Sequence, residues 1–448
     1  MGRLTPPQLL ILSFLSVILL GTFALTLPVA TEGPGRISLI DGLFTATSAT
    51  CVTGLVVKDT GSYFSTFGRW IIFLLFQAGG LGIMTFSTLF AVLLGRKIGF
   101  RQTDVIKSTL DRQNILGFRK LIFYILGITI TAEILGAALL FLRWRAVTEW
   151  TLPETLERAV FHSVSGFCNA GFSLFRGSFM RFESDPYINL TMMGLIFFGG
   201  IGFIVMADII GLFYGKGAVR RLSLQSKIAI TVSFLLIAAG ALLVLLFERD
   251  NALRAMSWPQ RVWGSLFQAV TARTAGFNTL STGQLSLPTL IFLAFLMFVG
   301  ASPGSTGGGI KTCTFAVVAA TIFSMLKNKR RVMLFNRSIP RDVIRESLVI
   351  FFLALLWIFV FTVILAYLGG KDGKGDGSLI KYLFEVVSAF GTVGLSTGIT
   401  GGLSGLSKLC IVVTMFAGRI GPLTLALAVA FRARKEVCVY PEENLMVG

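Results

Sequence analysis

What this sequence has least of is charge. Of its 448 residues only 14% are Asp, Glu, Lys or Arg, while 54% are hydrophobic; an ordinary soluble domain carries about a quarter charged residues. A water-soluble enzyme of this length would need more polar surface, so the composition argues against one. Histidine is almost missing, His162 being the single example, and no Cys-x-x-Cys pair occurs. Little is therefore left for zinc, histidine acid–base or redox-thiol chemistry. The five cysteines, at positions 51, 168, 313, 410 and 438, are too scattered for a secreted disulfide framework and read as reduced thiols. Acids are few as well: 22 against 40 Lys and Arg, a net charge of +18. Such an excess needs nucleic acid or the cytoplasmic face of a membrane. Nucleic-acid domains are not built around long uncharged apolar runs, so membrane lipid is the expected partner and nucleic acid is not.

Apolar runs are what the chain has in abundance. Eight, near 9–27, 70–94, 121–142, 188–213, 228–247, 290–326, 348–368 and 409–431, are long enough to cross a hydrocarbon core, which takes roughly 20 helical residues. The first follows a single Arg and has no clear small-x-small cleavage site, so it reads as a span rather than a signal peptide. Within each successive pair lies a shorter stretch, near 38–50, 156–167, 261–272 and 379–390. These are too short to span and predict either surface amphipathic helices or re-entrant half-helices. The connections 96–120, 216–227, 327–345 and 432–435 hold 21 of the 40 Lys and Arg and alternate with those carrying the short stretches. The positive-inside rule then places the basic loops and both termini in the cytoplasm, in a multi-pass protein of the cell membrane whose short segments dip in from outside.

The four short segments align on a glycine: Thr-Cys-Val-Thr-Gly-Leu at Gly54, Phe-Cys-Asn-Ala-Gly-Phe at Gly171, Ala-Arg-Thr-Ala-Gly-Phe at Gly276 and Phe-Gly-Thr-Val-Gly-Leu at Gly394. Six residues earlier stand Ser48, Ser165 and Ser388, with Val270 the exception. Some 27 to 31 residues later come Gly82, Gly202, Gly304 and Gly421, expected inside the second helix of each pair. A shared order of this kind marks internal repetition. The predicted fold class is an all-α integral membrane protein of four pseudo-repeats around a central pore. Each repeat is a transmembrane helix, a re-entrant pore half-helix, a filter loop and a second transmembrane helix, giving eight spans and four re-entrant segments. The boundaries are 1–97, 98–215, 216–333 with a broken second helix and a loop at 300–312, and 334–448 with a cytoplasmic tail.

Backbone that leaves helical geometry at membrane depth must be buried in protein or line a wet cavity. Four such loops about one axis would present rings of carbonyl oxygens, which can replace the hydration shell of a cation without adding fixed charge. Glycine is needed where successive carbonyls must point one way. The C-terminal end of each half-helix, with a partial charge of roughly −0.5, favours a cation in front of it.

Thr392-Val393-Gly394-Leu395-Ser396 resembles a degenerate potassium-channel filter TVGYG, and four copies in one chain resemble the Trk/Ktr/HKT superfamily of potassium transporters. With the stretch Gly-Ala-Ser-Pro-Gly-Ser-Thr-Gly-Gly-Gly-Ile-Lys-Thr from 300 to 312, the chain is most similar to the membrane subunits of bacterial Ktr systems. The resemblance implies a potassium filter made of Val52, Thr53 and Gly54; Asn169, Ala170 and Gly171; Thr274, Ala275 and Gly276; and Thr392, Val393 and Gly394. Only the central Gly is kept in all four, the outer Gly of TVGYG being Val56, Ser173, Asn278 and Ser396. Plant relatives that prefer sodium carry Ser where this chain has Gly54, so potassium is the favoured ion. The resemblance further implies a homodimer resting on a cytoplasmic ring of KtrA-type RCK subunits. It puts no cofactor on this chain, with K+ as cargo and a nucleotide of ATP/ADP or NAD type on the partner ring.

Residues 300–309, with five Gly and one Pro, have low helix propensity and predict an unwound segment beneath the filter. The resemblance implies an intramembrane gating loop made of Gly300, Ser302, Pro303, Gly304, Gly307, Gly308, Gly309 and Lys311, which blocks the pore until the cytoplasmic ring pulls it aside. Arg419, mid-span, is expected to face the pore or an acidic partner such as Glu385 or Asp208, since an unpaired charge there costs on the order of 2.5 to 3.5 kcal/mol. Arg273 is expected to act as scaffold behind the filter and His162 as a packing residue. Glu133 and Asp208 could serve the ion path or pair helices. Two motifs mislead. Gly300-Ala-Ser302-Pro303-Gly304 matches a nucleophile elbow, but Pro303 has no N–H to offer an oxyanion, leaving a membrane-embedded serine hydrolase a remote alternative. Residues 304–312 approach a phosphate-binding loop, but Ile310 displaces the lysine. The nearer alternative is a pore of the same kind that passes or couples sodium.

Overall fold

The computed structural model describes residues 6–33, 35–82, 115–214, 222–329, 331–371 and 378–421. Among the described residues the regular structure is helical, apart from a hairpin of two short strands, Met333–Leu334 against Arg337–Ser338, on the basic 327–345 connection. The first repeat comprises α1 (Pro6–Leu25), α2 (Leu39–Thr50) and α3 (Thr66–Gly80). The second is α4 (Ile115–Val147), α5 (Leu152–Phe167), α6 (Pro186–Ile201) and α7 (Phe203–Tyr214). The third is α8 (Leu224–Phe247), α9 (Trp258–Thr271), α10 (Leu287–Phe298) and α11 (Thr312–Leu326). The fourth is α12 (Arg341–Lys371), α13 (Leu379–Gly391) and α14 (Gly405–Ile420).

Local chemistry sets where these helices begin. Ser38 caps α2 through the Asp41 N–H, and capping boxes Thr151/Glu154 and Ser257/Gln260, each with a following Pro, start α5 and α9. Ser65, Asp185 and Ser404 cap α3, α6 and α14 with their side chains. Among the described residues α4, α8 and α12 are each long and apolar enough to cross a membrane. Their outward faces carry exposed residues such as Leu235 and Phe359, as lipid-facing surfaces do.

Two of the expected spans are interrupted, the second of them where a broken helix is predicted. The run 188–213 bends by 100° between α6 and α7 at Gly202, and the run 290–326 is interrupted between α10 and α11. The runs 70–94 and 409–431 extend past residues 82 and 421, outside the described residues.

Each short helix packs against the long helix before it, α2 on α1, α5 on α4, α9 on α8 and α13 on α12. The second helix of each repeat then packs on the short helix of the next: α3 on α5, α6 on α9, α10 on α13, and α14 back on α2. The repeats therefore close into a ring, with the short helices inside. Polar contacts hold three of its seams: Arg69 to Glu157 at 3.3 Å, Gln260 Nε2 to Ser184 Oγ at 2.7 Å, and Lys408 to Asp41 at 2.7 Å.

Candidate functional site

All four short helices run into loops of one conformation. Val52, Asn169, Thr274 and Thr392 have φ of 57, 56, 78 and 50°, and two residues on Gly54, Gly171, Gly276 and Gly394 have φ of 86, 72, 78 and 92°. Thr53, Ala170, Ala275 and Val393 between them stay on the usual negative side. In an ordinary extended strand successive carbonyls alternate in direction; left-handed residues at every second position turn them to a common side. Three of the four leading residues are β-branched, for which positive φ is a real outlier, and strain of this kind costs about 1–3 kcal/mol per residue and persists only where surroundings enforce it.

Those surroundings can be named. Ser48 and Ser388 Oγ accept from the N–H of Gly54 and Gly394, both at 3.1 Å, and Ser165 Oγ donates to Phe172 O at 2.8 Å. In the third repeat Thr271 replaces the missing serine, one residue later, by donating to Phe277 O at 2.9 Å. Backbone bonds add to this: Thr53, Ala170 and Val393 N–H donate to the carbonyls of Ser48, Ser165 and Ser388.

The four glycines close a circle. A Cβ on Gly54 would come within 3.0 Å of Ala170 O, on Gly171 of Ala275 O, on Gly276 of Val393 O, and on Gly394 of Thr53 O. Each loop thus presses on the next, and the last on the first. The twelve residues 52–54, 169–171, 274–276 and 392–394 come together about one axis, all buried apart from partial exposure at Gly171. Over one side of the ring opens a cavity of about 250 Å³ lined by all four glycines and by Val56, Ser173, Asn278 and Ser396, with Asp59 its single charged lining residue.

Against the opposite side lies the segment 299–311 joining α10 to α11. Ser302 N–H donates to Gly200 O (3.0 Å), and Ser302 Oγ accepts from Thr312 Oγ1 (3.0 Å). Pro303 O lies against Gly202, and Gly304 O accepts from Phe203 N–H at 3.0 Å. Gly307 is packed on Thr274, and Gly308 N–H donates to Thr392 Oγ1 at 2.9 Å. Gly309 N–H donates to Gly418 O at 3.4 Å, and Lys311 Nζ to Gly307 O at 2.6 Å. Asn169, with its amide turned so that each polar atom is paired, accepts from Thr306 Oγ1 at 3.0 Å and Gly200 N–H at 3.1 Å. The segment therefore touches the leading residue of three of the four loops. Gly300 O accepts from Arg273 Nη2 at 3.4 Å, which places that guanidinium behind the ring.

Arg419 corrects the expectation of an acidic partner. Its two terminal nitrogens donate to the carbonyls of Thr306 and Gly79, joining the fourth repeat to the intervening segment and to the first repeat. Glu385 and Asp208 are engaged elsewhere. Asp208 accepts from Ser223 N–H (3.1 Å) and Ser226 Oγ (2.5 Å) at the start of α8; Glu133 accepts from Gln77 Nε2 at 3.1 and 3.2 Å. Gly82, Gly202 and Gly421, expected within helices, instead have φ of 73, 97 and 92°, and Gly304, in the segment predicted to unwind, has 73°. Gly202 and Gly421 directly end α6 and α14, and Gly82 follows α3 by two residues.

Sequence reasoning passed over two residues facing the other side. Glu385 was considered only as a partner for Arg419, yet it accepts from Ser396 Oγ, Thr397 N–H (3.2 Å) and Thr400 Oγ1 (3.0 Å). His162 is packed, as expected, stacking on Phe175 at 4.4 Å, but its Nε2 also meets Ser173 Oγ at 3.0 Å. Both lie nine residues before the glycine of their loop, a register that would have found them. Ser302 and His162, the pair a serine hydrolase would need, hold different partners in different repeats.

A closed ring of bent-back loops inside apolar helices is the architecture of a membrane pore for an ion. The TrkH family, described as cation transport proteins, matches residues 5–436. The chain belongs to that family, an integral membrane transporter rather than an enzyme. It is 37% identical to Ktr system potassium uptake protein B of Bacillus subtilis, covering 100% of this chain and 97% of that one. It is 38% identical to the protein of that name from Vibrio alginolyticus, over 99% and 95%, and 36% identical to potassium/sodium uptake protein NtpJ of Enterococcus hirae, over 100% and 98%. The solved potassium transporter TrkH of Vibrio parahaemolyticus has the same fold, with a TM-score of 0.69 at 22% identity over 93% of this chain and 84% of that one.

Proposed function

We propose that the chain takes up potassium by letting a dehydrated ion pass through the four-loop ring, with carbonyls of Val52–Gly54, Asn169–Gly171, Thr274–Gly276 and Thr392–Gly394 standing in for its water. The observation that carries this reading is the repeated pair of left-handed residues in loops that press on one another in cyclic order. The segment from Gly300 to Lys311, held by Arg419, is the gate: it closes the far side of the ring and must move for an ion to pass. The basic loops and both termini face the cytoplasm, on the side of this gate.

Regulation comes from outside the chain. The Bacillus and Vibrio relatives are named as parts of a Ktr system, which supports a homodimer seated on a cytoplasmic ring of KtrA-type RCK subunits that bind an ATP/ADP- or NAD-type nucleotide; this chain itself carries no cofactor. A second reading, passage or coupling of sodium, is favoured by the name of the Enterococcus relative and by Val56, Ser173, Asn278 and Ser396 at the positions where TVGYG ends in Gly. Flux into vesicles holding the purified protein tests both, with potassium, rubidium and sodium compared before and after Gly→Ser changes at 54, 171, 276 and 394. Potassium and rubidium should outrun sodium, and the changes should erode that order; indifference to all four would remove the filter. Sodium flux equal to potassium would favour the second reading.

A further inference from the structure

The geometry points to Glu385 and His162 as positioning residues that pin the cavity-side edge of the ring in two opposite repeats. The inference rests on reading the ring as a cation filter and goes beyond it by naming what holds its carbonyls in place. In the fourth repeat the wholly buried Glu385 carboxylate accepts from Ser396 Oγ and Thr397 N–H on one oxygen and from Thr400 Oγ1 on the other. In the second repeat His162 Nδ1 faces Arg158 O at 2.7 Å, a carbonyl that can only accept, so the proton sits on Nδ1. Nε2 then accepts from Leu174 N–H at 3.1 Å, with Ser173 Oγ at 3.0 Å. Both side chains stand nine residues before their loop glycine and reach the serine two residues after it.

Loops one and three lack this device. At the same register they have Thr45, whose hydroxyl is spent on Asp41 O, and Phe267; the residues after their glycines are Val56 and Asn278. Since the ring order is 54, 171, 276, 394, the pinned loops face each other across the axis. A ring that cannot contract along one diameter cannot close around a smaller ion, so the two pins bias the site toward the larger alkali cations.

The test uses the full-length protein in phospholipid vesicles, with rubidium tracer competed by potassium or sodium. Glu385→Ala and Ser396→Ala should each lower potassium-over-sodium preference by about tenfold, the effect of losing a charge-assisted bond. The double variant should lose no more preference than Glu385→Ala alone, because the contact that Ser396→Ala removes is already absent in it. Ser173→Ala should act in the same direction. Glu248→Gln, a buried carboxylate that serves helix ends and does not touch the ring, should lower melting temperature and leave preference unchanged. Folded Ser396→Ala and Ser173→Ala proteins with unaltered preference would overturn the pinning. If Gly394→Ser abolishes preference while both serine variants keep it, only the pinning falls; if Gly394→Ser also keeps it, the filter reading falls first.

Discussion

In the backbone of the four ring loops the repeats behave as copies, while on the gate side they diverge. Four loops share one alternation of backbone conformation, and each second helix reaches a left-handed glycine some 28 residues later. What surrounds that glycine differs. Two residues before it stand Gly80, Gly200, Ser302 and Arg419, so one repeat carries a long cation where the others are small. After it, the second repeat resumes as α7 at once, whereas the third stays non-helical from Gly304 to Lys311. The contrast has a physical reason. Holding an ion takes oxygens placed evenly about an axis, which repeated backbone supplies; control takes one element able to move independently, which needs unlike side chains.

The largest effect should follow from breaking the copied half. Gly394→Ala places a Cβ against Thr53 O in a left-handed residue, and the combined strain, about 3 kcal/mol or more, should cut potassium flux roughly a hundredfold. Deleting 304–308 attacks the divergent half and should raise flux about tenfold, the scale of removing a barrier near 1.4 kcal/mol; unchanged flux would end the gate assignment. Arg419→Gln gives up the charge and shortens the side chain, so the gate segment should loosen and flux should rise about threefold to tenfold, since hydrogen bonds to charged groups contribute about 1.5–3 kcal/mol and a neutral amide keeps part. Unaltered uptake would make Arg419 a helix tie and nothing more.

Changes away from both halves should be smaller. Lys408→Met removes the partly buried pair with Asp41 at one seam and should cost about 1 kcal/mol or less of stability, seen as a lower melting temperature with ion preference retained. The smallest concerns acid. Burial pushes the Glu248 carboxyl up, but bonds from Ser286, Thr289 and Asn251 outweigh it and hold the group below its usual 4.5. A depressed carboxyl contributes stability above its unfolded value and loses it as pH falls through the folded one. Melting temperature should therefore dip more steeply below about pH 4.5 in the native protein than in Glu248→Gln; parallel curves would contradict this.

How much of this was legible in the sequence follows from the same contrast. The loops could be read because a left-handed residue in close contact with a neighbouring backbone leaves glycine as the residue that fits, and that demand recurs at 54, 171, 276 and 394. Ser48, Ser165 and Ser388 were visible by register, and Val270 looked like an exception only because Thr271 does the work one place later. Gly82, Gly202 and Gly421 were misplaced within helices, since membrane helices tolerate glycine and sequence does not separate an interior one from one that ends the helix. For Arg419 the sequence offers the pore or an acid but not its carbonyl partners, because those leave no mark in a sequence. The contact between Glu385 and Ser396 spans 11 residues and a reversal of the chain, which helical periodicity does not report.

The claim beneath all of this is that the four loops hold a bare cation on their shared axis. An anomalous-scattering map of the full-length protein in rubidium salt measures it directly. The account predicts rubidium peaks on the axis, within coordinating distance of carbonyls from all four loops, that are lost when Gly394 becomes Ser. An axis without rubidium, in crystals of protein that still transports it, would contradict the account.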